Sequence, residues 1–363
     1  MKQWLRFGVI LLFVSSCTIA ACAQPRETSS LTTRGDWLYV GGSGPGNYTK
    51  IQDAIDNATD GDTVFVYRGT YHEELNIQKS IALRGESMNL TIIDLDHIYP
   101  LPSGGIVMNV SNASNVTIEN FCFINHFSYA GNTTGGIWAD HCPGLTIRNI
   151  SDAWHHSTDF GVRLWHSNHS TIDRMIIKIK WDTDIDVRNS SDVTISQTFI
   201  YGFGGGLRQT CGISLLNAEH TAIINNTITQ CTLYGISLTN SHDNSLLGNT
   251  VRDNNASGMY LLDSDNNRIS NNELSSNHVK GIFLENSQHN TISNNNIYGN
   301  DGQLLFFSNA LCNTWKHNFW GYESPRIQPV VGLVHLDSVN ITFPIWRLDW
   351  RPAKEPYKIP GAP

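Results

Sequence analysis

The sequence predicts an all-β chain wound as a parallel β-helix, a solenoid with roughly 23 residues per turn. Three observations carry that prediction. Glycines recur at Gly212, Gly235, Gly258 and Gly281, 23 residues apart, with Leu304 in the next place. Apolar residues keep their offsets within each repeat: Ile213 and Leu215, Ile236 and Leu238, Met259 and Leu261, Ile282 and Leu284, then single positions at Ile223, Leu246, Ile269, Ile292 and Trp315, and at Ile228, Val251, Leu274, Ile297 and Trp320. Asparagines stand in register too, in a column Asn244, Asn267, Asn290, Asn313 and another Asn226, Asn249, Asn272, Asn295, Asn318. Apolar residues alternating with polar ones mark short strands with one buried face. Three such strands per repeat make one coil. The asparagines suit its corners, because Asn tolerates the left-handed backbone of a tight turn, and stacked amides can hydrogen-bond along the axis.

In chain order, residues 1–23 read as an export segment. Lys2 and Arg6 flank the apolar run "FGVILLFV", too short for an ordinary membrane span. "ACAQ" offers cleavage after Ala23, while "IAAC" and "VSSC" resemble lipoboxes that would lipidate Cys22 or Cys17. The mature chain is then extracellular or at the cell surface, touching a membrane only through that lipid. Residues 24–46 read as a linker and 47–320 as the β-helix. Ile51, Ala54, Ile55 and Ala58 have helical spacing, so a short amphipathic helix should cap the first coil. Strands follow around Val64–Val66, Leu75–Ile77 and Ile81–Leu83. Rungs then begin at Gly105, Gly136, Gly161 and Asp184, with insertions that include "NHFSYAGNTTG" and "YGFGGGLRQTC". In a solenoid such insertions form flanking loops. After Trp320 the rhythm stops, and residues 321–363, rich in Pro and Trp, read as an irregular C-terminal cap.

The chain has 363 residues, a net charge of -8 and only 15% charged residues. It lacks the basic face of a nucleic-acid binder. Cys122, Cys142, Cys211, Cys231 and Cys312 form no CxxC. In an exported protein, Cys211–Cys231 and Cys122–Cys142 are candidate disulfide neighbours. Asn-x-Ser/Thr sequons are dense, as any Asn/Ser/Thr-rich repeat makes them, and glycosylation is expected at exposed ones.

The opening "VGGSGPGNYTKIQDAIDNATDGDTVFVYRGTYHE", the rung pattern "GIxLxxSxxNxIxxNxIxxN" and the late "NTWKHNFWG" resemble right-handed parallel β-helix surface proteins of the pectin-lyase-like, NosD-type group (carbohydrate-binding and sugar-hydrolase repeats). The resemblance covers nearly all of the mature chain. It implies the fold and a kinship with polysaccharide lyases, glycoside hydrolases and epimerases, while activity has to be argued from the site. The chain carries no "DPHE"-like epimerase signature, and "DTDID" is only a loose match to a hydrolase Asp pair. For the copper role attached to the NosD name it has few Met, no CxxC and no HxxxH. Only His155–His156 sets two imidazoles side by side in sequence.

The rungs from Gly212 onward are uniform, so chemistry is expected on the middle ones. There the outward offsets give Trp138, Arg163 and Asp186, then Asp140, Trp165 and Arg188. His141 and His166 share the next column. Asp159, Asp182 and Asp184 lie at or beside the glycine position, with Trp154 and His156 nearby. Indoles stack on sugar rings, while carboxylates and Arg hydrogen-bond hydroxyls or uronates. The leading expectation is recognition of polysaccharide or cell-envelope glycan, with Trp138, Asp140, Trp154, Trp165 and His166 as binding residues. The enzyme alternative, a lyase or hydrolase, would draw its catalytic groups from Asp159, Asp182, Asp186, Arg163, Arg188 and His156. Carboxylates on adjacent rungs, roughly 5 Å apart, approach the spacing of a retaining glycosidase. No cofactor is required, although Asp159, Asp182 and Asp184 are candidate Ca²⁺ ligands. A third alternative is a noncatalytic envelope spacer, in which Trp138–Arg163–Asp186 is simply a surface ladder of cation–π and ion-pair contacts.

Overall fold

The computed structural model describes residues 35–95, 105–124, 135–152, 160–178, 183–202, 211–302, 306–321, 327–336 and 341–359. Each regular repeat forms three short strands, and each strand pairs in parallel with its counterpart one turn later. Ile236–Thr239 pairs with Met259–Leu262, Ser245–Leu247 with Arg268–Ser270, and Thr250–Arg252 with Glu273–Ser275. Among the described residues, 32 strands join into one open sheet wound around a continuous core. The predicted apolar columns line that core: Ile213, Ile236, Met259 and Ile282, and likewise Ile223, Leu246, Ile269 and Ile292, are fully buried. The recurring glycines are steric. A Cβ on Gly258 would stand 2.7 Å from the carbonyl oxygen of Gly281 one turn on.

The asparagine columns are hydrogen-bonded ladders inside the coil. Asn249 Oδ1 accepts both the backbone N–H and a side-chain N–H of Asn226, each at 3.0 Å. Asn249 Nδ2 donates forward to Asn272 Oδ1 at 3.0 Å and back to the Ile223 carbonyl at 2.8 Å. The pattern repeats through Asn272, Asn295 and Asn318. In the Asn244 column each Oδ1 accepts the backbone N–H of the preceding rung, as Asn267 does from Asn244 at 2.9 Å. A third ladder, Asn254–Asn277–Asn300, begins where Cys231 donates its N–H to Asn254 Oδ1. The left-handed corners fall on different residues, one position earlier: Asn225, Gly248, Asn271 and Asn294 precede one ladder, Asp243, Asn266 and His289 another. Ladder and corner are therefore separate jobs, where the sequence suggested one.

Both ends are covered. The predicted helix forms at Ile51–Asn57, buries Ile51, Ala54 and Ile55, and lacks a side-chain N-cap of its own. Glu73 substitutes, its carboxylate accepting the backbone N–H groups of Ile51 and Gln52. At the other end the Lys79 ammonium donates to the carbonyls of Ile55, Asp56 and Ala58. Opposite charges thus complete opposite helix ends. The coil begins earlier than the sequence suggested: Trp37–Val40, within the segment read as a linker, pairs with Thr63–Val66. The C-terminal cap is also more regular than expected. Ile327–Leu336 and Ile341–Trp350 form a long antiparallel ribbon. It joins the coil through Phe307, whose ring needs the bare Gly332 opposite it, and through Trp315 and Lys316. Asp349 of this ribbon ends the amide ladder, accepting the Asn318 backbone and side-chain N–H groups and the Trp320 indole N–H, all at 3.0 Å. Burial raises the Asp349 carboxyl above the usual range, against these hydrogen bonds, which lower it. No helix among the described residues is long and apolar enough to cross a membrane.

Two outcomes follow from the ladder. Asn249→Ala strands buried donors of Asn226 and should cost roughly 2–4 kcal/mol, read by chemical denaturation, whereas Asn240→Gly, at an exposed left-handed corner, should stay within about 0.5 kcal/mol. A carboxyl with a raised folded pKa adds stability below its unfolded value of about 3.9 and loses it as pH rises through the folded value. Asp349→Asn, which keeps an acceptor and sheds the charge, should therefore melt higher than wild type at neutral pH, with the gap closing in acid.

Candidate functional site

The register that stacks the core also aligns the outward side chains. Asn109, Trp138, Arg163, Asp186, Ser214, Ser237, Tyr260 and Phe283 occupy one column of a single sheet face. Ser111, Asp140, Trp165, Arg188, Leu216, Thr239, Leu262 and Glu285 occupy the column beside it. Trp138, Asp140, Arg163, Trp165, Asp186 and Arg188 are therefore contiguous over three rungs.

Asp186 is its anchor. It is 1% exposed. Arg188 meets it twice, Nε to Oδ1 at 3.0 Å and a terminal nitrogen to Oδ2 at 2.8 Å, while Arg163 Nε lies 3.5 Å from Oδ2. The Arg163 guanidinium lies 4.1 Å from the Phe160 ring centre, and that of Arg188 lies 5.2 Å from the Trp165 ring. Trp138 and Trp165 meet edge to face at 5.1 Å. Gly135 makes room for this cluster, since a Cβ there would run into the Phe160 ring. The indole N–H groups of Trp138 and Trp165 have no hydrogen-bond acceptor among the described residues. Each side chain is fixed by at least one neighbour, so the array is preorganised.

Beside it, Asp140 faces two imidazoles. Its Oδ1 lies 2.9 Å from Nδ1 of His141 and 3.0 Å from Nδ1 of His166. The two rings stack with centres 4.6 Å apart. His141 was legible only as a member of the His166 column. What made it a site residue is the convergence of both rings on one carboxylate.

Other expectations fare differently. Trp154, His156, Asp159 and Asp182 lie outside the described residues. Asp184 stands in the glycine column, between the paired Thr183/Cys211 and Ile185/Ile213, and is fully buried. Its carboxylate lies near the Cys231 thiol, which burial pushes well up and Asp184 pushes further. That inward placement removes Asp184 from a solvent-facing Ca²⁺ site. Cys142 and Cys231 are free thiols, so neither candidate disulfide is formed. Cys122 sits in the strand Thr117–Ile124 opposite Ser151, whereas Cys142 follows the strand Gly135–Asp140 in a different column. A second aromatic group lies further along the same face: Tyr234 stacks on Tyr260 at 4.5 Å, Tyr260 on Phe283 at 6.1 Å, and the Lys280 ammonium lies 3.6 Å from the Phe283 ring centre.

Comparison with known proteins agrees with this architecture. Residues 146–320 match the model of the NosD family, described as periplasmic copper-binding protein. No curated protein matches the chain by sequence. Among solved structures, the A-module of the Azotobacter vinelandii mannuronan C-5 epimerase AlgE6 is similar with 16% identity and a TM-score of 0.54, over 72% of this chain and 74% of that one. A DFA-IIIase from Arthrobacter chlorophenolicus is similar with 13% identity and a TM-score of 0.55, over 78% and 84%. The catalytic domain of an α-1,3-glucanase is similar with 12% identity and a TM-score of 0.52, over 80% and 59%. At these identities the likeness is one of fold. It meets the resemblance of the rungs to parallel β-helix proteins of the NosD-type, pectin-lyase-like group. Among the described residues, the converging donors Asp140, His141 and His166 mix nitrogen with oxygen, whereas Ca²⁺ takes six to eight oxygens. The imidazole pair with Asp140 suits copper better.

Asp186→Ser places the side chain of the neighbouring rungs in this column and takes the carboxylate from Arg163. It should cost ~3–5 kcal/mol in denaturation, and Arg163→Gln in the same chain should recover part of that loss in a double-mutant cycle.

Proposed function

We propose that this is an exported, cell-surface β-helix protein that recognises polysaccharide or envelope glycan through the Trp138/Asp140/Trp165/His166 and Arg163/Asp186/Arg188 patch on its middle rungs. The observation that carries the reading is the fixed pairing of indoles and guanidinium groups on one solvent-facing sheet. Arg188 and Asp140 keep 38% and 41% of their side chains exposed, and Trp165 lies between them, paired with both in register. Such an edge can stack on a sugar ring and hydrogen-bond its hydroxyls or a uronate carboxylate without first ordering its own side chains. A rung spacing of roughly 4.8 Å repeats these contacts along the axis, as a linear polymer requires. The aromatic group at Tyr234, Tyr260 and Phe283 lies on the same face and would extend the track.

The lyase or hydrolase reading draws less support from the described residues. Asp186 is buried and tied to two arginines, and Asp140 is engaged by two histidines. Neither is placed as an unengaged acid or base. The family description and the sugar-acting proteins of like fold support a periplasmic or surface setting and a saccharide partner. The export reading itself rests on residues 1–23, and nothing in the composition favours nucleic acid.

The test is electrophoresis in gels containing a panel of uronate and neutral polysaccharides. Wild-type protein should be retarded by at least one. Trp165→Ala should weaken that retardation at least tenfold in apparent affinity, about 1.4 kcal/mol, and Lys316→Ala, on another face, should not. Release of unsaturated or reducing-end products from the same panel would replace the binding reading with the enzymatic one. Retardation unchanged by Trp138→Ala and Trp165→Ala together would sink the proposed patch.

A further inference from the structure

We infer that Asp140, His141 and His166 form a binding site for a divalent transition-metal cation, Cu²⁺ foremost. The metal site does not rest on the glycan reading, although Asp140 and His166 belong to both. The argument starts at the corner column. His141 and His166 hold left-handed backbone, with φ of 56° and 50°. The same corner on later rungs carries Asn189, Asn217 and Asn240, again left-handed. Those asparagines satisfy one another: Asn240 Nδ2 donates to Asn217 Oδ1 at 2.7 Å, and Asn217 Nδ2 to Asn189 Oδ1 at 2.9 Å. The amide ladder stops at His166. Two imidazoles, one turn apart and stacked, replace it, and their Nδ1 atoms converge on a single carboxylate oxygen.

The donor set and spacing suit a metal. Histidine and carboxylate bind Zn²⁺-sized cations at about 2.0–2.2 Å, which sets neighbouring donors of one coordination sphere roughly 3 Å apart. The two Nδ1 atoms lie 2.9 Å and 3.0 Å from Asp140 Oδ1, and the donor atoms all fall within 4.8 Å of one another. Two imidazoles with one carboxylate favour copper, nickel or zinc over the oxygen-seeking Ca²⁺ and Mg²⁺. The side chains of His141 and His166 are 59% and 44% exposed, so a cation can enter directly and water can fill the remaining positions. The NosD family description names copper, and among the described residues these are the ones that fit it.

The site also has a neighbour that can tune it. Asn189 Nδ2 lies 3.4 Å from Nε2 of His166. Without metal, that amide faces Nε2 as a donor while Nδ1 donates to Asp140. A cation at Nδ1 displaces its proton, so Nε2 carries the remaining one and needs an acceptor. The Asn189 amide can turn its oxygen toward the ring only by giving up the bond it accepts from Asn217. A carboxylate at that position would already supply the acceptor.

The experiment is calorimetric titration of the full chain with Cu²⁺ against a weak chelating competitor, with electron paramagnetic resonance of the loaded sample. Wild type should bind a single Cu²⁺ tightly, with hyperfine structure from coordinated imidazole nitrogen, and excess Ca²⁺ should not displace it. His141→Asn and His166→Asn install the residue this column uses elsewhere, so they should fold normally and weaken binding at least about tenfold each. His289→Asn, at a distant left-handed corner, should change nothing. Asn189→Asp should tighten binding. A wild-type chain that binds no Cu²⁺, or a His141→Asn/His166→Asn chain that binds it as wild type does (through His155–His156, for instance), overturns the assignment.

Discussion

The buried amide ladder is the interaction on which the rest depends. From Asn249 to Asn318 each Asn oxygen of the column collects two N–H groups from the preceding rung, and each amide nitrogen spends both its hydrogens, one forward and one back. Aliphatic stacking alone would tolerate slippage, because one buried Ile or Leu can replace another. The amides do not tolerate it: a shifted rung would bury donors and acceptors without partners, at about 1–3 kcal/mol each. The ladder thereby turns a greasy column into a register, and the register determines which side chains meet on the outside.

That register explains why the middle rungs can hold unlike residues so close together. Trp138, Arg163 and Asp186 share one outward column, and Asp140, Trp165 and Arg188 the next. The buried Asp186 carboxylate is paired with two guanidinium groups, and these are in turn seated on Phe160 and Trp165. The patch is a rigid print of side chains held by a rigid scaffold. Such a surface presents a fixed shape and fixed donor positions, which need little reorganisation on contact.

Much of this was legible in the sequence, for a physical reason. A solenoid maps sequence offset directly onto position across the coil, so the buried columns, the outward columns and the capping helix could be read by counting. Counting fails where one residue type serves two purposes. Asparagine makes both corners and ladders here, and only backbone geometry shows that Asn271 turns the chain while Asn272 bonds along the axis. The third ladder escaped because it opens on Cys231, not on an asparagine. The helix caps, Glu73 and Lys79, come from a later strand region and leave no local signal. The convergence of His141 and His166 on Asp140 was hidden for a like reason: contact one turn apart is distance in sequence. The terminal ribbon lacks the repeat altogether, so its pairing could not be counted out.

The ladder also has a direction. Every side-chain amide in the Asn226–Asn318 column donates toward the C-terminal end, and the chain of donors finishes on Asp349, 31 residues beyond Asn318. A nascent chain emerging from its N-terminus can close each rung on the one that follows, but the last amide has no acceptor until the final ribbon arrives. The coil is therefore built like a zip with its stop at the far end. Its terminal rungs lock late, and a chain cut short before Asp349 would leave the most ordered polar column in the molecule open at its tip.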